Sequence, residues 1–157
     1  MRAPGVSLVL GGLLLAAPFL GAEEAKPDVP GLIVTLKTGD PASRAAAARV
    51  LGELGPVSKD AVPGLIEAIK DEDKDVRRNA VKSLGQIGPA AAPAVPAIAA
   101  TLGESNWELR RNAAQALGAI GDPSAEPALK KAKDDPNDKV RAAAKRALKQ
   151  LKKRKKK

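Results

Sequence analysis

The chain has 157 residues, a formal net charge of +9, and no Cys, His or Tyr. The missing residue types exclude disulfides and thiolate or imidazole metal ligands, and they remove most general bases and covalent nucleophiles that act near neutral pH. The remaining carboxylates, lysines and serines show no spacing typical of a catalytic site, and no Gly-rich phosphate loop follows a strand pattern. We therefore predict a protein that is not an enzyme and that needs neither a cofactor nor a metal.

The start of the chain has the features of an export signal. One basic residue precedes an apolar run over residues 6–20, and small residues then precede an acidic pair at 23–24. This order is typical of a secretory signal peptide, and the run is shorter than the ~20 residues that a membrane-spanning helix needs. We predict a signal peptide at 1–22, a linker at 23–28, and a secreted or periplasmic protein without stable membrane insertion. Retention of the segment as an uncleaved anchor and a misassigned start are the alternatives.

From residue 29 onward the sequence repeats with a period of 33 residues. Val-Pro pairs recur at this step from Val29, as do arginines from Arg44. A fourth copy comes two residues early, since Arg141 follows Arg110 by 31 residues. When the four copies are aligned, several columns contain the same or similar residues in one register, which indicates a repeat array. The copies are predicted at 29–56, 61–89, 94–122 and 125–151, and a basic tail at 152–157.

Each copy predicts a pair of antiparallel helices, as the second copy illustrates. Pro63 suits the first turn of a helix, and Leu65 and Ile69 follow at helical spacing. A charged turn leads to a second helix, which Gly85 and Gly88 are predicted to end. The residues expected to cap the second helices are of the types favoured at that position: Asp40, Asp73, Asn106 and Asn137.

Two columns of the second helices predict a buried seam between successive copies. One column is alanine throughout, at Ala47, Ala80, Ala113 and Ala144, and the other is leucine, at Leu51, Leu84, Leu117 and Leu148. The fourth copy has Lys149 and Lys152 where the others have glycine, which gives it the polar outer surface that a terminal repeat needs. We predict an all-α fold: a monomeric, right-handed α-solenoid of four helix pairs.

The pattern of one unit resembles the HEAT repeat, in the short form named after the phycobilisome-lyase proteins. A proline-led first helix, an Asp in the turn, an Arg four residues on and the ending Ala-Ala-x-Ala-Leu-Gly-x-Ile-Gly carry the resemblance over residues 29–151. It implies a hydrogen-bonded ladder between successive repeats, formed by the turn residue and the following arginine. The matching positions are Asp40 with Arg44, Asp73 with Arg77, Asn106 with Arg110 and Asn137 with Arg141, where Asn departs from the pattern.

The second helices also carry the candidate partner-binding residues, opposite their apolar stripe. In HEAT-like solenoids these helices line the concave face, which would place a basic stripe there. Its members are Arg49, Arg78, Lys82, Arg111 and Arg146, with Gln115 beside them. An ordinary solvated face is the alternative. Trp107 is either a contact anchor at the rim of this groove or a residue packed against an adjacent loop.

Basic charge is concentrated at the carboxyl end, where residues 139–157 include 11 basic and no acidic residues. Such a tail either aids solubility or binds polyanions weakly. The function that we favour is a non-catalytic, exported protein-interaction scaffold whose protein partner the sequence does not identify. A polyanion- or nucleic-acid-associated solenoid and a lyase-like or chaperone accessory protein are the alternatives.

Overall fold

The computed structural model describes residues 26–156, which form α-helices and short 3-10 segments without any β-strand. The α-helices are α1 (Val29–Thr38), α2 (Pro41–Glu53), α3 (Val62–Ala68), α4 (Lys74–Ile87), α5 (Val95–Thr101), α6 (Trp107–Ile120), α7 (Glu126–Ala132) and α8 (Asp138–Arg154). Each odd-numbered helix pairs with the even-numbered helix after it, and successive pairs stack on one another. The predicted all-α solenoid of four helix pairs is thus confirmed. The predicted signal peptide lies outside the described residues.

Short 3-10 segments connect successive helix pairs at Gly55–Ala61, Gly88–Ala94 and Pro123–Ala125. The chain leaves α2, α4 and α6 through a glycine with positive φ, the last being Gly121 with φ of 78°. Glycine adopts this left-handed conformation without steric cost. The third connection is the shortest, and it is where the fourth copy loses two residues. Within residues 26–156, none of the helices combines the length and apolarity needed to span a bilayer.

The predicted helix caps are confirmed in all four second helices. The Asp40 carboxylate accepts a hydrogen bond from the Ser43 N–H at 3.0 Å, and Asp73 accepts one from the Val76 N–H at 3.0 Å. Asn106 and Asn137 cap α6 and α8 in the same way. These side chains satisfy backbone donors that have no partner within the helix, so each second helix begins at a fixed residue.

The alanine and leucine columns form the core, as predicted. Every member of both columns is buried, and Leu84 and Leu117 are fully enclosed. Leu54, at the edge of the first pair, remains half-exposed, whereas its counterpart Ile87 in the second pair is fully buried. Stacking on a preceding pair therefore completes the burial of each unit, as expected of a repeat array.

Glycines inside the second helices set how closely these helices pack, which corrects the prediction that Gly85 ends α4. The helix continues to Ile87. A Cβ atom on Gly85 would lie 2.9 Å from the Cα atom of Ala116, and one on Gly118 would lie 2.8 Å from the Cα atom of Ala147. No side chain fits in these contacts, so glycine lets α4 approach α6 and α6 approach α8.

The second helices pack on one another more extensively than the first helices do. In a curved array, the layer with the closer spacing lies on the inside of the curve. We therefore assign α2, α4, α6 and α8 to the concave face of the solenoid. The resemblance to HEAT-like solenoids implied the same face for the second helices.

Arginines join successive repeats, but through carboxylates other than the capping residues that the resemblance implied. The Arg44 guanidinium donates to both carboxylate oxygens of Asp71 at 2.8 Å, and Arg110 donates to both oxygens of Asp135 at 2.8 and 2.9 Å. Each acid lies two residues before the cap of the next repeat. The capping side chains accept from helix N–H groups instead, which explains why they are not the ladder partners.

Arg77 and Arg141 form no ion pair within the described part of the chain. Arg77 donates to the carbonyl oxygens of Asp71 and Glu72 in its own turn, and Arg141 likewise bonds only to carbonyls of its own turn. In the third copy the position of Asp71 is taken by Glu104, whose side chain is exposed. Within the described residues, ion pairs of this ladder therefore connect successive repeats at Arg44 and Arg110 only. All four arginines donate hydrogen bonds to carbonyl oxygens of the turn between paired helices.

The carboxyl-terminal tail, predicted to begin at Lys152, is partly integral to the fold. Helix α8 continues to Arg154, whose guanidinium donates to the carbonyl oxygens of Ile120 at 2.9 Å and Ala119 at 3.1 Å. The Lys155 ammonium lies 2.7 Å from the Glu126 carboxylate. Together with Lys130, Lys155 lowers the pKa of Glu126 to about 2. The last turn of α8 thus caps the end of α6 and fastens α7.

Candidate binding surface

The predicted partner-binding residues all lie on α2, α4, α6 and α8, on the side that the core does not use. Arg49, Lys82, Gln115 and Arg146 form one column across the four helices, and all are exposed. A second column, four residues earlier, contains Arg78 and the half-buried Arg111. Since residues four apart share one face of a helix, the two columns form a single surface. We call it the concave surface.

Two of the predicted cations are paired within the concave surface itself. Arg49 bonds to Glu53 at 2.6 Å, and Arg78 bonds to Asp75 at 2.9 Å. Exposed pairs of this kind contribute little to stability. They do place a carboxylate beside each arginine, so the predicted stripe is not uniformly positive.

Four other basic side chains on or beside the concave surface have no carboxylate partner within residues 26–156. They are Lys82 on α4, Arg111 on α6, and Lys139 and Arg146 on α8. These four cations therefore lie on the second, third and fourth helix pairs. Lys139 was not among the predicted residues, because the equivalent residues in the two preceding copies are the acids Asp75 and Glu108.

Trp107 holds two cations over its ring. The Lys139 Nζ atom lies 4.9 Å from the ring centroid, and the Arg111 Cζ atom lies 5.6 Å from it. Both distances permit cation–π attraction. Since Trp107 and Arg111 belong to α6 and Lys139 to α8, the half-buried ring connects two repeats and attracts both charges.

The Arg111 guanidinium has fewer hydrogen-bond partners than its burial requires. Its Nε atom is buried and has no acceptor among the described residues, and its one side-chain bond is a long contact of 3.3 Å to Asn112. Buried donors in folded proteins are nearly always paired. Arg111 is therefore the polar group on the concave surface that most lacks an acceptor.

A pocket of about 240 Å³ opens on the concave surface between α4 and α6. Lys82, Gln86, Asn112 and Gln115 form its polar walls, and the small residues Gly85, Ala116 and Ala119 form its floor. The pocket is shallow because α4 and α6 approach each other closely at Gly85 and Ala116. Sequence reasoning missed Gln86, which carries no charge, although it lies one turn beyond Lys82.

Other polar residues of the second helices serve packing and not the surface. Asn79 donates to the carbonyl oxygen of Ala45 at 2.9 Å, and Ser83 donates to that of Ala48 at 2.6 Å, so both fasten α4 to α2. Larger pockets, of about 490 and 790 Å³, lie between the first helices and the turns, away from the concave surface. No cluster of acidic side chains within residues 26–156 is placed to hold a metal ion.

The fold and the sequence both define the class of this protein. The family model for HEAT repeats matches residues 29–95 and 91–149, so the chain belongs to the HEAT repeat family. The resemblance drawn from the repeat pattern is thereby confirmed. No curated protein matches the sequence.

Solved structures of repeat proteins are similar to this chain. The complex of CpcE and CpcF of phycocyanin lyase from Nostoc sp. PCC7120 shares 32% identity with a TM-score of 0.66, over 94% of this chain and 62% of that one. Human deoxyhypusine hydroxylase shares 31% identity with a TM-score of 0.67, over 82% and 45%. A designed armadillo repeat protein in complex with the peptide (KR)4 shares 17% identity and the fold alone, with a TM-score of 0.66 over 76% and 62%. The chain spans less than two thirds of each of these proteins.

Proposed function

We propose that this HEAT-repeat protein is a non-catalytic scaffold that binds a protein partner on its concave surface after export from the cytoplasm. The observation that carries the proposal is the set of basic side chains on α4, α6 and α8 that have no carboxylate partner among the described residues. Of these cations only Lys139 contacts a neighbouring helix pair, through the Trp107 ring. The arginine ladder, the glycine contacts and the leucine column hold the pairs together. A ligand with acidic groups on this face would give these cations the partners that they lack.

The architecture favours a polypeptide ligand. HEAT and armadillo-like arrays present extended concave surfaces that typically bind protein partners, and the similar designed armadillo repeat protein is in complex with a peptide. The concave surface here is shallow and crosses several helices, which suits an extended chain better than a small molecule. The absence of His, Cys and Tyr from the whole sequence also argues against acid–base or covalent catalysis on this surface.

A lyase-like or chaperone accessory role is the second candidate. The 32% identity to the CpcE–CpcF complex over 94% of this chain favours it. Such a protein would act on a polypeptide partner and would use the same concave surface. The partner recovered by affinity capture distinguishes the two roles, because an accessory protein should be found with the polypeptide that it serves.

A polyanion-associated solenoid is the third candidate, favoured by the exposed lysines at the end of α8. Arg154 and Lys155 are engaged within the fold, which leaves Lys152, Lys153 and Lys156 for such contacts. Binding of this kind is dominated by counterion release and falls steeply with salt. We expect it to be weak, and to be lost when these three lysines are replaced by glutamine.

Export is proposed from the apolar run at residues 6–20 and the small residues before Glu23. Mass spectrometry of the protein from its native host should find a mature amino terminus near Glu23, in the periplasm or the medium. An intact Met1 in a cytoplasmic fraction would contradict the proposal, and it would favour the nucleic-acid alternative.

Affinity capture with matched charge-reversal variants tests the binding surface. Lys82→Glu/Arg111→Glu should lose a protein that the wild type captures, whereas Lys145→Glu/Lys149→Glu should retain it. Lys145 and Lys149 are exposed on α8, outside the predicted columns, so the control matches the change in net charge. Thermal unfolding by circular dichroism checks that each variant folds. Equal capture by both variants would show that the partner does not use the concave surface.

A further inference from the structure

We infer that the partner segment is acidic and extended, and that its carboxylates bind to Arg111 and Lys139 beside Trp107. The inference rests on the proposed function, because it specifies the ligand of the same concave surface. Three observations carry it: an arginine that lacks an acceptor, a second cation held over the same ring, and the spacing of the cations across the helices.

Arg111 provides the first observation. Its guanidinium forms one hydrogen bond, the long contact to Asn112, so most of its N–H donors lack an acceptor among the described residues. A carboxylate matches the planar fork of arginine and forms strong, charge-assisted hydrogen bonds with it. Within the described residues no carboxylate does so at Arg111, whereas Arg44 and Arg110 are each bonded to both oxygens of an aspartate.

Lys139 provides the second observation. Its ammonium lies 4.9 Å from the centroid of the ring that also carries Arg111. Two like charges beside one ring repel each other, and the neighbouring Glu108 forms no ion pair with either of them among the described contacts. An incoming anion would relieve this repulsion, and attraction to the ring already favours the positions of both cations, so less side-chain freedom is lost on binding.

The spacing of the cations provides the third observation and indicates the form of the segment. Lys82, Arg111 and Lys139 lie on three successive second helices, and packed helices are separated by ~8–10 Å. A polyproline II segment places every third side chain on the same side, with a rise of about 9 Å. A segment in this conformation with an acidic residue at every third position would therefore meet one cation on each helix. The carboxamides of Gln86 and Gln115, in the pocket between α4 and α6, can bond its free backbone groups.

Nucleic acid fits these observations less well. Proteins that bind single strands normally stack several bases on aromatic side chains. Trp107 is the only aromatic residue in residues 26–156, and two cations already lie over its ring. We therefore favour an acidic polypeptide, and the experiment below includes polyanions as a competing outcome.

Trp107 is the single tryptophan of the sequence, so its fluorescence reports on this site alone. The probe is a fluorophore-labelled peptide with five copies of Glu-Pro-Ser, compared with the Gln-Pro-Ser version and with a peptide of the same composition whose glutamates are contiguous. We expect the spaced Glu peptide to change Trp107 emission in a saturable manner at moderate salt. The Gln version should have no effect, and the contiguous version should bind several-fold more weakly.

Variants then locate the contact by fluorescence anisotropy of the labelled peptide. Arg111→Gln/Lys139→Gln should weaken binding of the spaced Glu peptide about tenfold or more, because charge-assisted hydrogen bonds are lost. Lys145→Gln/Lys149→Gln removes the same charge from α8 outside the predicted columns, and it should change affinity less than twofold. Equal weakening by both pairs would mean non-specific attraction and would overturn the inference.

Further outcomes separate this inference from the proposed function. If neutral or basic peptides perturb Trp107 and the acidic peptides do not, the acidic partner is wrong while the concave surface still binds polypeptide. If heparin or single-stranded DNA depends on Arg111 and Lys139 and no peptide binds, the surface serves a polyanion and the inference fails. If no peptide and no polyanion perturbs Trp107, the proposed function fails as well.

Discussion

Arg110 and Asp135 form a bidentate ion pair that connects the third helix pair to the fourth. The side chains are only 11% and 8% exposed, and the hydrogen bonds measure 2.8 and 2.9 Å. Arg110 also donates to the carbonyl oxygens of Glu104 and Ser105. One side chain therefore closes the turn of its own repeat and fixes the next repeat beside it.

We expect Arg110→Ala to lower the free energy of unfolding by about 2–3 kcal/mol, since it leaves the buried Asp135 carboxylate without its partner. Arg77→Ala should cost less, because Arg77 bonds only to carbonyls of its own turn. Urea titrations of a double-mutant cycle provide the measurement. Arg110 and Asp135 should show a clear coupling energy, and Arg77 and Glu104 should show almost none. Similar coupling in the two pairs would contradict the ladder described here.

Gly118→Ala should destabilise the array although alanine has the higher helix propensity. The added Cβ atom would lie 2.8 Å from the Cα atom of Ala147, so α6 and α8 would have to move apart. We expect a cost of about 1–3 kcal/mol, typical of overpacking in a core. Gly103→Ala is the matched control, because its Cβ atom would approach nothing closer than 3.4 Å. A gain in melting temperature for Gly118→Ala would show that the glycine contact does not limit the packing.

The residues that could be predicted from the sequence are those set by local periodicity. The helix pairs, the caps at Asp73 and Asn106, and the buried Leu84 column follow from spacing within one repeat, and all are confirmed. Gly85 was misjudged because its role is a contact with Ala116, and such a tertiary contact overrides local propensity.

The ladder partners and the full set of surface cations could not be predicted because they depend on distances between repeats. Asp71 and Asp73 are two residues apart in one turn, and only the three-dimensional path of that turn decides which carboxylate reaches Arg44. Lys139 was missed for a similar reason, since its proximity to Trp107 arises from the stacking of α8 on α6. Lys82 is exposed, as helical periodicity alone indicates, whereas Arg111 is half-buried beside Trp107.

Arg154 should contribute to stability although it lies in a segment that composition alone marks as a solvated tail. Its guanidinium bonds to the last carbonyls of α6, which have no partner within that helix. We expect Arg154→Ala to lower the free energy of unfolding by about 1 kcal/mol in urea titrations. Lys153→Ala, at an exposed residue one position earlier, should be neutral. Equal effects of the two changes would mean that the tail does not cap α6.

Stability should fall on acidification and stay nearly constant near neutral pH. Hydrogen bonds from Arg44 and Arg110 lower the pKa values of Asp71 and Asp135, and Lys155 and Lys130 lower the pKa of Glu126 to about 2. A pKa lowered by folding adds stability that is complete above the unfolded pKa of about 4 and is lost as the pH falls through the folded value.

The measurement for this pH dependence is the urea midpoint between pH 2 and pH 8. With no His or Cys in the sequence, we expect little change from about pH 5.5 to pH 8 and a steady decline below about pH 4. Asp135→Asn should make the decline shallower, because one of the carboxylates concerned is removed. A midpoint that is unchanged at pH 3 would contradict the ionic ladder.

The central claim is that a protein partner binds on the concave surface, and site-specific photo-crosslinking in the native compartment tests it most directly. A photoreactive amino acid at Gln115, which is exposed on α6 beside Arg111, should crosslink to one defined protein. The same photoreactive amino acid at Glu67, which is exposed on α3, the first helix of the second pair, is the control and should give no such product. Crosslinks to the same protein from Glu67 alone, or in equal yield from both positions, would contradict the account.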